Sequence, residues 1–377
     1  MPHSVPLIRD RPALATNDAD GVDGLRDVLL SAQAGTDRDD PRALLRTLGA
    51  QGLLKAFVEP QTNGGFRYTD RWRAVFDVLV LLGGLDLSLA RLFEGHVNAL
   101  QLVALYGSRA QQDRVLAIVN EGGLLGVWGA DGPEPVRRTP AGSGTAILSG
   151  AKRYASGAGV LHTALVPINE TDGTMTLLLL DVRDEARVDL SSWDLRGMRG
   201  SLSGSYDFSG VEIVPEDVVG ARDDYRREPF FVGGIWRCAA AQLGAIEAIV
   251  KDIASDLSAS GRDGHPLQMA RIGEAIIAAR SARLWILDAA ARVEDDPGTD
   301  DAAIARTVAL SAYGRLVTER AAMAVIDLAE RAIGLQSFVR SHPIEAMTRD
   351  LAVYIRQANP DAVLLQHGRT LAAGLPL

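Results

Sequence analysis

Along most of the chain apolar residues recur every three to four positions, the spacing that lines one face of a helix. From Asp40 to about Ile118 this period is sustained. The run "DPRALLRTLGAQGLLKAF" offers Asp40 as an N-cap with Pro41 at the first helical position, and "RWRAVFDVLVLLGGLDLSLARLFEGHVNALQLVALYGS" is apolar enough to be buried on most sides. The pattern changes near Glu121. Between there and Val219 come the short runs "GTAILSGAKRYASG", "HTALVPI", "TMTLLLLDV" and "GSYDFSGVEIVP", separated by Gly, Ser, Asp and Pro, which predicts an antiparallel sheet domain. The helical period returns at about Pro229, with helices predicted over 234–257, 266–294, 300–334 and 342–357. Long helices joined by short loops predict an antiparallel bundle. A break at Asn359-Pro360 divides the last periodic stretch, "RDLAVYIRQANPDAVLLQHGRTL", into two helices.

The expected architecture is α+β, mostly α. A flexible N-terminal arm over 1–38, rich in Pro, Asp and Gly, precedes an N-terminal helical domain over 39–120, a middle antiparallel β domain over 121–225 and a C-terminal four-helix bundle over 226–377.

With 377 residues, 47% of them apolar, the chain can bury a large interior. A net charge of −9 gives no field for nucleic acid or an anionic membrane, so a cofactor phosphate needs local arginines and backbone N–H groups. The single cysteine, Cys238, excludes an internal disulfide or multi-cysteine metal site, and in "WRCAAAQLGAIEAIV" it reads as a small buried side chain. A reducing, cytoplasmic location is expected, since no apolar leader and no run of about eighteen apolar residues is present. Neither a P-loop, nor His-Glu-x-x-His, nor Gly-x-Ser-x-Gly occurs. "GAGVLHTALV" precedes a strand where a dinucleotide loop must follow one. The six histidines lack ligand spacing, so no metal site is expected.

Three stretches carry a resemblance: "LSGAKRYASGAG" (148–159), "WDLRGMRGSLSGSYDFSGVEIVPEDVVG" (193–220) and "ERAIGLQSFVRSHPIEAMTRDLAVYIRQANPD" (330–361). In this order, and with helices on both sides of the strands, the chain resembles the acyl-CoA dehydrogenase superfamily of flavoproteins over roughly residues 40 to 370. The resemblance implies FAD lying between the β domain and the bundle, a small acyl or related substrate, a homo-oligomer (dimer or tetramer) and, for a dehydrogenase, an electron-acceptor protein. By position, Trp128, Gly129 and Ala130 of "GVWGADG" match the loop lining the ring's pyrimidine edge, and Tyr154 and Ser156 match the aromatic and hydroxyl that cover the ring and reach N5. Arg262 of "SGRDGHPLQ" stands in for the arginine that meets the FAD pyrophosphate, and Gly334 and Gln336 keep part of the Gly-rich turn.

Each position also has a structural reading. Trp128 can fill the core, and Ser156 can cap local backbone. His96 falls on a helix that borders the substrate cavity in the resembled family, or is a satisfied core histidine. Arg237 faces an anionic substrate or pairs with a bundle carboxylate.

Departures concern the acid. The glutamate that would remove a substrate α-proton is replaced by Ala358, between Gln357 and Asn359, and its alternative place is Gly234. Asp361 is the nearest carboxylate, as a base or as a first-turn residue of the next helix. The resemblance therefore implies first a flavin-dependent dehydrogenase acting on the CH–CH group of an acyl thioester or related compound. A flavin-dependent monooxygenase or oxidase follows, then a non-catalytic scaffold.

Overall fold

The computed structural model describes residues 19–35, 37–142, 144–356 and 360–372. The chain starts with α1 (Ala19–Gln33) and α2 (Arg42–Ala50), then a short hairpin of β1 (Val58–Pro60) and β2 (Phe66–Tyr68), followed by α3 (Trp72–Leu85), α4 (Leu87–Tyr106) and α5 (Arg109–Asn120). Residues 19–33, expected within the flexible arm, are thus helical, and Leu25 and Leu29 are buried in the main core. Asp40 caps from one position earlier than expected: its Oδ1 accepts from the Arg42 N–H at 3.0 Å, while Pro41 occupies the N-cap.

Strands follow: β3 (Leu125–Val127), β4 (Arg137–Gly142), β5 (Thr145–Ser149), β6 (Ala151–Ala155), β7 (Thr163–Asn169), β8 (Met175–Asp181), β9 (Val188–Asp189), β10 (Gly204–Asp207), β11 (Glu212–Ile213) and β12 (Val218–Val219). They form a sheet of order β12-β8-β7-β3 and two three-stranded sheets, β6-β10-β9 and β11-β5-β4. All pairings among them are antiparallel except β3 with β7, which run parallel. The β3–β7 connection is long, carrying β4 to β6, as a parallel crossover requires. β7 and β8 are buried along almost their whole length, which explains their unbroken apolar runs.

The bundle consists of α6 (Trp236–Ala259), α7 (Pro266–Asp295), α8 (Asp301–Ile333) and α9 (Pro343–Tyr354), with α10 (Pro360–Ala372) packed on α8. The fourth predicted helix, 342–357, stops at Tyr354.

α6 also packs closely on α3 of the N-terminal region. The crossing is made of glycines: a Cβ on Gly83 would stand 1.9 Å from the Ala241 carbonyl oxygen, and one on Gly244 2.1 Å from that of Val80. One continuous core joins α1–α4, the strands and the bundle.

Candidate active site

The ends of β3 and β6 meet beside the bundle. Trp128, just past β3, is 1% exposed and packs on Tyr206 at 5.2 Å, while its Nε1 donates to the Ser156 carbonyl at 2.9 Å. Its indole therefore lies in the core and fixes the loop after β6. Gly129 and Ala130 follow it onto the surface. A Cβ on Gly129 would meet only the Tyr225 hydroxyl, at 3.6 Å, so the backbone there is open to a flat ligand.

Beneath this loop lies Lys152 of β6, its side chain 1% exposed. Its ammonium donates to Asp131 Oδ1 at 2.6 Å, the Pro167 carbonyl at 2.6 Å and the Gly129 carbonyl at 3.3 Å. Burial lowers its pKa, and the Asp131 carboxylate opposes that and keeps the charge.

Tyr154 stands on the other side, 53% exposed, its ring edge-on to Trp193 at 5.6 Å. Ser156 is buried at the base. Its Oγ accepts from Ser203 Oγ at 2.8 Å, and Ser203 lies 2.8 Å from Ser201 Oγ, whose own hydrogen goes to the Met198 carbonyl. With the Ser203 hydrogen given to Ser156 and the Ser201 hydrogen to Met198, the Ser156 hydrogen is free to donate. The segment supplying these hydroxyls is strained: Met198 has φ 60° and Leu202 φ 46°, in the left-handed region that non-glycine residues avoid. It is held by the Asp350 carboxylate, which accepts from the Met198 N–H at 2.8 Å and ties it to α9.

No family profile matches the chain. The dibenzothiophene monooxygenase of Rhodococcus erythropolis is 26% identical over 188 residues, 46% of this chain and 44% of that protein. The match thus spans less than half of the curated relative. Among solved structures, the complex of TdsC from Paenibacillus sp. A11-2 with FMN and indole superposes with a TM-score of 0.80 at 20% identity, covering 95% of this chain and 98% of that one. Butyryl-CoA dehydrogenase from Megasphaera elsdenii gives 0.78 at 18%, covering 95% and 99%. The chain has the acyl-CoA dehydrogenase fold.

Within that fold, several expected residues serve the frame instead of the site. His96, expected beside the substrate, is 0% exposed. Its Nε2 lies 2.7 Å from the Leu54 carbonyl and its Nδ1 accepts from the Leu125 N–H, so the proton sits on Nε2. Burial pushes its pKa down to about 4 from 6.5. Below pH 6.5 the unfolded chain takes up a proton that the folded one refuses until about pH 4, so this contribution to stability falls as pH falls through that window. Replacing His96 by Ala should destabilise by about 2 kcal/mol or more at pH 7. Urea unfolding should show the gap to wild type narrowing by about 2 kcal/mol between pH 7 and pH 5; a gap unchanged with pH contradicts the buried neutral ring.

Arg237 does not face the site. Its Nη2 is 2.7 Å from both Glu294 Oε1 and Gln101 Oε1 and its guanidinium lies 4.7 Å from the Trp236 ring centroid, which is the bundle-carboxylate alternative. Arg262 is likewise engaged by its own chain, donating to Ser260 Oγ, the Ala332 carbonyl and Asp256 Oδ2, so it closes the α6–α7 turn and is not held out toward a phosphate. Gly334, at φ 79°, ends α8, and Gln336 in the next turn is exposed. Asp361 is an exposed first-turn residue of α10, in a cleft with Glu319, Arg320 and Arg356 between α8 and α10. Gln357, Ala358 and Asn359 lie outside the described residues.

Sequence reasoning missed two groups. Lys152 was hidden because its partner Asp131 is 21 positions earlier and only the fold brings them together. Arg91, Glu94 and Asn98 of α4 were legible as an i, i+3, i+7 face in "RLFEGHVN", yet were absorbed into an otherwise apolar helix.

Proposed function

We propose that this protein is a flavin-dependent oxygenase acting on a small organic molecule. One observation carries the reading: the open Gly129–Ala130 backbone, the exposed Tyr154 ring and the Ser156 hydroxyl make a face for a flat ring, but neither position expected to carry the α-proton base, 234 or 358, holds a carboxylate. Gly234 is buried in a glycine turn before α6, and position 358 is alanine. Desaturation of a CH–CH bond needs that base; oxygen chemistry does not. The partial match to dibenzothiophene monooxygenases supports the same choice. The order suggested by sequence alone, dehydrogenase first, is therefore reversed.

The residues fit a flavin. Gly129 and Ala130 would offer backbone groups to the pyrimidine edge, Tyr154 would cover one face, Ser156 would donate to a ring nitrogen, and Lys152 would hold the loop still. A flavin bound there supplies electron transfer and, once reduced, reaction with dioxygen. FAD was the expected form. With Arg262 closed onto its own turn, its expected pyrophosphate anchor is gone, and FMN becomes an equal partner for the site. TdsC, for its part, is described with FMN. A homo-oligomer belongs to the same reading: α7 exposes Leu267, Ile276, Ile277 and Leu284, apolar surface that a second copy would cover. An electron-acceptor protein, needed by a dehydrogenase, is not required here. Among the described residues no helix is long and apolar enough to cross a membrane, and the cytoplasmic location remains our proposal.

The test sets reduced flavin under labelled dioxygen against anaerobic butyryl-CoA. The reading predicts that an aromatic sulfur compound gains labelled oxygen from the gas, with protein-bound flavin staying yellow in the presence of the thioester. Anaerobic bleaching by butyryl-CoA would restore the dehydrogenase reading.

A further inference from the structure

Next to the Gly129 loop, α4 carries charged side chains that the reading above leaves unused. The Glu94 carboxylate accepts from Arg91 through one oxygen and from Asn98 through the other. Only 19% of the Arg91 side chain and 9% of the Glu94 side chain is exposed. Arg91 uses a single Nη for this pair, and among the described residues its remaining N–H groups have no partner. The guanidinium lies close to the β3 end of the site, since a Cβ on Gly95 would meet Arg91 Nη1 at 3.5 Å and the Gly126 Cα at 3.9 Å.

Three more polar groups surround the pair: Tyr225, whose hydroxyl lies against Gly129, Cys238 of α6 and Tyr354 of α9. The buried Tyr354 hydroxyl donates to the Cys238 thiol. Burial, with the Glu94 charge adding to it, pushes Tyr225 and Cys238 up to about 12 and Tyr354 well above its ordinary value, so all three keep their protons.

Arg91 and Glu94 cancel each other's charge, and Arg315, whose charge also reaches Cys238, is paired with Glu319. An anion would lose its hydration and meet no surplus positive charge. An uncharged molecule with an acceptor oxygen would meet the remaining Arg91 N–H groups and the Tyr225 hydroxyl, all donors, and hydrogen bonds from a charged donor are the stronger kind.

We propose that this face of α4 binds an uncharged substrate through a hydrogen-bond-accepting oxygen, with Arg91 as the specificity-determining donor. The inference deepens the oxygenase reading and rests on it for the position of the reacting ring. It disfavours carboxylates, sulfinates and other small anions as substrates.

Calorimetric titration of the purified protein with three matched probes tests this. Methyl phenyl sulfoxide has the ring and a neutral acceptor oxygen, thioanisole has the ring alone, and benzenesulfinate has the ring and a negative charge. The sulfoxide should bind about tenfold tighter than either of the others. Arg91→Met should erase its advantage over thioanisole. Because that change leaves Glu94 without its cation, the paired variant Arg91→Met/Glu94→Gln, which removes both charges, should show the same loss with a melting temperature close to wild type. Benzenesulfinate binding as tightly as the sulfoxide, no binding by any probe, or an advantage that survives both variants would overturn the proposal; should neither variant fold, the wild-type comparison decides alone. Flavin binding is titrated separately on the same samples. Protein that prefers the sulfoxide but takes no flavin defeats the oxygenase reading, whereas protein that takes flavin without that preference defeats only this one.

Discussion

Gly83→Ala should leave little folded protein, although it adds one methyl group to a helix. The new Cβ would stand 1.9 Å from the Ala241 carbonyl oxygen of α6, a backbone atom with no rotamer to move into. Relief requires α3 and α6 to separate, uncovering side chains such as Leu79, Leu82 and Leu243, each 0% exposed. The expected cost is about 3 kcal/mol or more, a large part of the roughly 5–15 kcal/mol that holds a domain together. Gly273→Ala is the matching control. That glycine lies within α7 with nothing within 4 Å of its added Cβ, so the same change should stabilise by about 0.5–1 kcal/mol. Thermal melts of the two variants should shift in opposite directions. Equal shifts would mean that the α3–α6 crossing is looser than described.

The second large effect belongs to Lys152→Met. Methionine keeps the length of the stem but leaves the Asp131 carboxylate and the Pro167 and Gly129 carbonyls without their shared donor. Removing one partner of a buried ion pair costs about 3–5 kcal/mol, and these acceptors sit under the loop that would face the flavin. The variant should therefore melt well below wild type and lose flavin affinity even in the fraction that stays folded. A variant destabilised yet binding flavin normally would show that Lys152 supports the sheet and not the loop.

How much of this was legible beforehand depended on the range of the interactions involved. The bundle helices were readable because each carries its own 3.6-residue period over many turns: α7 was predicted at 266–294 and runs Pro266–Asp295. α1 was not, because few buried residues, Leu25 and Leu29, are set among Asp and Gly, too weak a stripe to separate from an arm. The β domain was expected to be wholly antiparallel, and the parallel β3–β7 pair escaped notice because its partners are separated by an entire excursion of three strands.

The site divides the same way. Tyr154, Ser156, Gly129 and Ala130 were placed through the resemblance, and the fold sets them near one another, with the Arg153 N–H donating to the Ala130 carbonyl and Trp128 Nε1 to the Ser156 carbonyl. His96, Arg237 and Arg262 were placed through the same resemblance, yet each is claimed by partners distant in sequence: Leu54 and Leu125, Glu294 and Gln101, and Ala332. A histidine or arginine in an apolar helix looks the same in sequence whether it faces a ligand or a carbonyl across the core.

We propose a flavin ring on the face made by Gly129, Ala130, Tyr154 and Ser156. Its most direct measurement is fluorescence titration of the purified protein with FMN and with FAD, oxidised and reduced. The account predicts saturable quenching at one flavin per chain, weakened at least tenfold in a Tyr154→Ala/Ser156→Ala variant that melts like wild type. Protein that leaves both flavins free in solution at saturating concentration, in either redox state, would contradict it and leave only a scaffold of this fold.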